Sequence, residues 1–365
     1  MNTIIRVLLV ADTHLGYDMP FRPRVERRRR GPDFFENFRA ALGPALRGEV
    51  DLVVHGGDLL YRSKVPSVLV DMAMEPLLAV AKGGVPVFIV PGNHERSSIP
   101  LQLCTEHANL FIFDRPRTFT LETNGLSVAL SGFPFVRRVR DSFRRSLDAT
   151  GFESIRADLR LLCLHQVVEG AQVGASNFTF RGGPDVIRGS DLPGGFGAFL
   201  CGHIHRAQIL RRDLGGSALA SPVVYPGSVE RTSMAERDEE KRYCLLSFQR
   251  EDASVASYAN GNSKAEQVDL SRAVAGGFSM GAEFKRLPAR PMAKLVLRDA
   301  DLDGGSLEKT LERRLRSLDP HSIVRVTLEG QAVRVAAPAI NAQRLREIAP
   351  PTMNVSLSPE TWRGK

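Results

Sequence analysis

The sequence predicts an α/β layered domain followed by a small α+β module, on three observations. Short β-rich apolar runs alternate with amphipathic stretches of helical period through most of the chain. Several of those runs end in short clusters of Gly, Asp, Asn and His. Past a stretch poor in large apolar groups, the strand and helix pattern restarts beyond Pro288.

The elements follow in order. Residues 4–11 read as a first strand, interrupted only by Arg6, and residues 51–55 and 85–90 as the next two. Helices are expected between them at residues 33–47, with Phe34, Phe38 and Leu42 at helical spacing and Asp33 near the start, and at residues 66–82. Residues 160–164 and 197–201 read as further apolar strands, and residues 118–123, 127–134, 207–211 and 243–248 as hairpin strands. Residues 252–281 are rich in Ala, Gly, Ser and Asn and read as a flexible insertion. Pro288 and Pro291 bracket a boundary, giving domains at 1–288 and 289–365. The second should run strand (293–297), charged helix (307–318), strand (322–328), then a second strand and a helix.

A chain of 365 residues has room for about two domains at roughly 150 residues each. With 43% hydrophobic and 25% charged residues it has the balance of a folded protein rather than a disordered one. No run approaches the roughly 18 apolar residues of a membrane helix, and the start of the chain does not read as a signal peptide. A cytoplasmic location with no membrane association is expected, with Cys104, Cys163, Cys201 and Cys244 reduced. The net charge of +8 makes polyanions plausible partners. Arginine supplies 41 of the 49 basic residues, which suits bidentate phosphate binding but is equally what a GC-rich genome would produce.

Five of the eight histidines fall in clusters that each follow an apolar run: Asp12-Thr13-His14, Gly56-Gly57-Asp58, Gly92-Asn93-His94-Glu95, His165 and Gly202-His203-Ile204-His205. In open α/β sheets, ligand sites form outside the carboxyl ends of the strands, so these loops can converge. Carboxylate, amide and imidazole donors without thiolate suit a pair of divalent cations such as Mn²⁺ or Fe²⁺. Asp58 could bridge two ions, which together can activate a water and orient a phosphate. A lone histidine is usually a satisfied core or surface residue, and His55, His107 and His321 are read that way. The ordered set of five clusters is what favours metal.

These motifs resemble the calcineurin-like metallophosphoesterase superfamily, with its D-x-H, G-D, G-N-H-[DE], H and G-H-x-H signature. His14-Leu15-Gly16-Tyr17, Leu164-His165-Gln166 and Tyr225-Pro226-Gly227-Ser228-Val229-Glu230-Arg231 are similar to its SbcD-like branch of DNA-repair nucleases. The resemblance implies a layered β-sandwich flanked by helices, with a small C-terminal α+β capping domain. It implies one ion on Asp12, His14, Asp58 and His205, and a second on Asp58, Asn93, His165 and His203. His94 is then implied to be the catalytic donor to the phosphate or leaving oxygen, with Glu95 orienting the motif; a purely structural role for His94 remains the alternative. Some relatives place a histidine where Tyr61 stands, so exonuclease behaviour is less secure than metal binding.

Two segments bear on substrate. Residues 21–30 carry six arginines, among them Arg27, Arg28, Arg29 and Arg30, and residues 137–145 carry five. They are read as phosphate contacts for DNA, against the bland alternative of a solvated charged face. The leading function is a two-metal DNA exo- or endonuclease acting in a repair complex by way of a metal-activated water. The alternatives are a phosphodiesterase or phosphatase for a small nucleotide or other phosphoester, and a weakly catalytic DNA-binding subunit of a repair ATPase. The resemblance also implies a coiled-coil ATPase partner of the SbcC kind. A homodimer is open, and Trp362 either anchors an interface or closes a small core.

Overall fold

The structure, a computed structural model, describes residues 4–19, 29–95, 107–250, 277–302, 306–331, 335, 338 and 340–358. The chain forms two compact units: residues 1–17, 33–230 and 240–287, and residues 18–32, 231–239 and 288–365.

In the first unit the strands run β1 (Ile4–Val10), β2 (Leu52–His55), β3 (Val87–Ile89), β4 (Leu110–Ile112), β5 (Arg117–Thr123), β6 (Leu126–Gly132) and β7 (Leu159–His165). Four two-residue strands follow, β8 (Val167–Val168), β9 (Gln172–Val173), β10 (Phe178–Thr179) and β11 (Val186–Ile187). The unit closes with β12 (Ala198–Gly202), β13 (Gln208–Arg212), β14 (Ala218–Tyr225), β15 (Arg242–Arg250) and β16 (Phe278–Arg286). Its helices are α1 (Gly31–Leu46), α2 (Ser67–Lys82) and α3 (Val139–Asp148).

Two six-stranded sheets result. One has the order β16-β15-β1-β2-β3-β4, with β1 to β4 parallel and β15 antiparallel to β1. The other has the order β13-β14-β12-β7-β6-β5, with β6, β7, β12 and β14 parallel and the two edge strands antiparallel. Alternate residues of both sheets meet in one dry core: Val7, Leu9 and Val54 from the first, and Leu130, Leu161 and Leu200 from the second. The β-period puts the intervening residues on the outer faces. There Leu162, Leu164 and Phe199 pack with Phe143 and Leu147 of α3. The fold is the expected layered α/β sandwich.

Several local expectations change. Residues 252–276 of the anticipated insertion lie outside the described residues, but 278–281 are strand: Phe278, Met280 and Ala282 alternate into the core while β16 pairs along β15. The segment 137–145, read as a charge run, is mostly helix α3. Val139, Phe143 and Leu147 stand four apart on its buried face and the arginines cover the rest. Strand β14, absent from the sequence reading, carries Pro222 between buried residues and pairs with β12 only through Val223 and Val224.

The second unit contains a parallel sheet β17-β18-β19 (Met292–Leu297, Ile323–Leu328, Asn354–Leu357), with α4 (Leu307–Arg316) and α5 (Ala342–Ile348). Leu311, Leu315, Val324, Val326, Leu345 and Ile348 form its core. Ser306 caps α4 and Asn341 caps α5 through side-chain bonds to Lys309 N (3.3 Å) and Arg344 N (2.8 Å). Among the described residues, helix α5 precedes strand β19, the reverse of the expected final pair. Trp362 lies outside the described residues. No helix among them is long and apolar enough to cross a membrane.

Candidate metal centre

Each cluster follows the carboxyl end of a parallel strand. Asp12 to His14 follow β1, Gly56 to Asp58 follow β2, Gly92 to Glu95 follow β3, His165 ends β7, and His203 to His205 follow β12. The first two loops are zipped together: Asp12 N donates to Gly57 O (2.9 Å), His14 N to Asp58 O (2.9 Å) and Gly56 N to Val10 O (2.8 Å). Register places Gly202 beside His165, and the Gly202 backbone lies so close to Gly56 that a Cβ there would sit 2.2 Å from the Gly56 carbonyl oxygen. That close approach brings the loops of the two sheets together.

Three groups of donors converge: Asp12, His14 and His205; His14, Asp58 and His94; and Asp58, His165 and His203. His14 Nε2 lies 3.0 Å from His205 Nε2, and His165 Nε2 lies 3.1 Å from both His203 Nδ1 and Asn93 Oδ1. Asp58 Oδ2 is 3.4 Å from His165 Nε2, 3.8 Å from His94 Nε2 and 4.0 Å from His14 Nε2. Lone pairs aimed at one another over such distances repel unless a proton or cation lies between them, so the arrangement fits divalent cations. Cys163, Cys201 and Cys244 are buried free thiols, and burial pushes their ionisation up. Oxygen and imidazole donors make up the centre.

Supporting hydrogen bonds set the tautomers. A carbonyl can only accept, so the contact of His165 Nδ1 with Gly56 O (2.8 Å) puts the proton on Nδ1 and turns the Nε2 lone pair inward. His94 Nδ1 likewise donates to Tyr61 O, leaving Nε2 toward Asp58 on the side open to solvent. Glu95, fully buried, accepts from the backbone N–H groups of Asp58 (3.0 Å), Leu60 (2.8 Å) and Gly92 (2.6 Å). It thereby fastens the second loop to the third. Asp12 takes both oxygens to His203 N, at 3.1 and 3.0 Å.

Electrostatics follow from burial and from these neighbours. Burial pushes the Asp12 carboxyl up to about 6, and burial with the Asp58 charge pushes Glu95 up to about 8. Burial would also raise Asp58, but His165, His14 and His94 together outweigh it and hold that carboxyl well below its usual range. Burial lowers His14 and takes His203 down to about 3, whereas for His165 the Asp58 carboxylate overcomes burial and lifts it to about 9.

His55 has a different function in this frame. It lies between Thr13 Oγ1 (3.1 Å) and Gly57 N (3.2 Å), and Thr13 donates onward to Leu59 O (3.0 Å). Its ring is therefore neutral, and burial takes it down to about 3. It is a satisfied core histidine that ties the first two loops together.

Of the four arginines singled out, Arg27 and Arg28 lie outside the described residues. Arg29 pairs with Asp18 at 3.1 Å, and Arg30 is buried with its guanidinium donating to the Arg231 carbonyl. Arg30 is thus buried within the second unit rather than exposed on a charged face. Sequence reasoning missed Lys241, which is fully buried and donates to Ser228 Oγ (2.9 Å), while Ser228 N donates to His205 O (3.1 Å). The signal was the Tyr225-to-Ser228 motif: Tyr225 Oη also donates to Gln166 O (3.0 Å), coupling that motif to the His165 strand.

Gly92 gives a sharp test of this packing. A Cβ there would lie 2.2 Å from Asp58 Oδ1 and 2.5 Å from Asp58 N. Gly92→Ala should displace Asp58 by a sizeable fraction of an ångström and cut turnover about 10²-fold, with metal affinity falling alongside. Kinetics and metal titration of a variant with wild-type circular dichroism would check it; unchanged turnover would refute the crowding.

Residues 5–207 match the calcineurin-like phosphoesterase family model. The DNA double-strand break repair protein Mre11 of Archaeoglobus fulgidus is 26% identical over 358 residues, covering 93% of this chain and 70% of that protein. Its Haloferax volcanii counterpart is 29% identical, covering 94% of this chain and 65% of that protein. The Methanosarcina mazei counterpart is 31% identical over 70% of this chain, which spans only 38% of that relative.

Proposed function

Because the chain belongs to the calcineurin-like phosphoesterase family, we propose that it is a two-metal DNA phosphodiesterase acting in double-strand break repair. The interlocking of the three donor groups through His14 and Asp58 carries the two-metal part of this reading. Likeness over most of the chain to proteins named for double-strand break repair supports DNA as the substrate.

Asp12, His14, Asp58 and His205 would hold one ion, and Asp58, Asn93, His165 and His203 the other, with Asp58 shared. When bound, the two divalent ions, Mn²⁺ in this proposal with Fe²⁺ as the alternative, supply Lewis acidity toward the phosphate and an activated water. The Gly56 carbonyl keeps the His165 lone pair directed inward. Glu95 keeps Asp58 and the Gly92 turn in one frame. His94 is left to act on the substrate. Since its Nδ1–H is committed to the Tyr61 carbonyl, donation from Nε2 to the leaving oxygen requires the doubly protonated ring. Nε2 lies 3.8 Å from Asp58 Oδ2, at the edge of the donor cluster.

A coiled-coil ATPase partner belongs to the same proposal. The test is to incubate protein isolated from its native cells, with Mn²⁺ and with or without ATP, with end-labelled duplex, hairpin and single-stranded DNA beside a small chromogenic phosphodiester. Metal-dependent DNA cleavage that responds to ATP through a co-isolated ATPase is expected. Brisk turnover of the small diester with intact DNA would return the protein to small phosphoesters, and cleavage by a lone, ATP-indifferent chain would remove the partner.

A further inference from the structure

Beside Asn93 lies a cavity of about 460 Å³, within the roughly 300–1,000 Å³ typical of ligand sites. Pro91, Gly92, Asn93, Pro134, Phe135 and Arg137 line it. No carboxylate is among them. The half-buried Phe135 ring sits 5.6 Å from the ring of His203 and 6.1 Å from that of His165, so the cavity opens directly against the donor cluster. Its wall is held at two points. Phe135 N donates to Pro91 O (2.9 Å), and the fully buried Gln166 donates from Nε2 to Val136 O (3.1 Å). Arg137 is exposed at the rim, with no ion-pair partner among the described residues.

One aromatic face, two proline walls and one free cation ask for a ligand with a flat apolar surface and an adjoining anion. We propose that this cavity is a nucleobase subsite: a base next to the scissile phosphate stacks on Phe135, and Arg137 meets a neighbouring phosphate. The subsite rests on the DNA-phosphodiesterase reading above. Stacking on an aromatic ring tolerates any base, so it positions the strand without imposing a sequence. It would also separate nucleic acid from small phosphoesters, which reach the donor cluster but leave the cavity unfilled.

The test uses the full chain with Mn²⁺ and single-stranded oligonucleotides in which one abasic nucleotide is walked through the positions around the mapped cleavage site. For the wild type, one position is expected at which removing the base slows cleavage about tenfold, the size of one stacked base. Phe135→Ala should lose that dependence, so that intact and abasic strands are cut at equal rates, while Phe135→Tyr should keep it. The readout is a ratio within each variant, so altered expression or overall activity does not mimic it. A wild type indifferent to the abasic position, or a Phe135→Ala variant that still distinguishes the two strands, would overturn the subsite. A wild type that hydrolyses a small diester but no oligonucleotide would instead overturn the DNA reading beneath it.

Discussion

Asp58→Ala is expected to abolish hydrolysis and to strip metal from both positions at once. Asp58 is the residue common to the His14–His94 group and the His165–His203 group, and its Oδ2 stands within 4.0 Å of three imidazole nitrogens. Its other oxygen accepts the His94 backbone N–H at 3.0 Å, so the substitution also loosens the third loop. Losing a hydrogen-bonding partner outside the ligand shell commonly costs about 10–100-fold in metal affinity, and a shared ligand should exceed that range. Elemental analysis after Mn²⁺ loading should fall from two ions toward none, with turnover down by at least about 10³-fold. Asp58→Asn serves as the control that fills the same space. An active, metal-replete Asp58→Ala variant would remove Asp58 from the bridging role.

His94→Ala should separate binding from chemistry. Its backbone bond to Asp58 survives the substitution, and the donors implied by the ligand assignment are untouched, so metal content should stay at the wild-type level. Turnover should fall about 10²–10⁴-fold, the usual contribution of a positioned proton donor. The effect should be smaller on a diester with a good leaving group, which needs little protonation. Loss of metal from His94→Ala would make it a ligand or a structural residue, and an equal loss on both kinds of substrate would argue against proton donation.

The centre was legible because its chemistry is written in short words at strand ends. Asp12-Thr13-His14 and Gly202-His203-Ile204-His205 each follow a buried run; parallel pairing aligns the strand ends within each sheet, and the close approach of Gly202 to Gly56 joins the two sets. Local sequence does not distinguish His55 from His165. Both close an apolar strand, and their roles differ through partners remote in the chain: Thr13 for one, Asn93 and His203 for the other. Helix α3 was hidden because its five charged residues, three Arg and two Asp, outnumber Val139, Phe143 and Leu147, although those three keep helical spacing. The burial of Arg30 was hidden for a related reason, since a run of arginines does not reveal which one the fold will bury. Strand β16 was lost to its Gly and Ser content, although Phe278, Met280 and Ala282 alternate as a strand should. The Phe135 cavity had no local signature at all, because it forms between the segments around Asn93 and Phe135.

Asp12, His14, Asp58 and His203 all hold left-handed backbone, with φ of 51°, 43°, 52° and 85°. For a residue with a side chain this conformation costs roughly 1–2 kcal/mol, least for Asp and more for His. Glycine would occupy each position without that strain. Stability-directed engineering therefore pulls these four positions toward glycine, opposed by the need for a donor side chain and by the backbone N–H groups that Asp12 and Asp58 hold. Thermostabilised variants obtained by screening for heat resistance alone should accumulate changes at this edge first, and they would be the ones in which a more durable scaffold has outlived its chemistry.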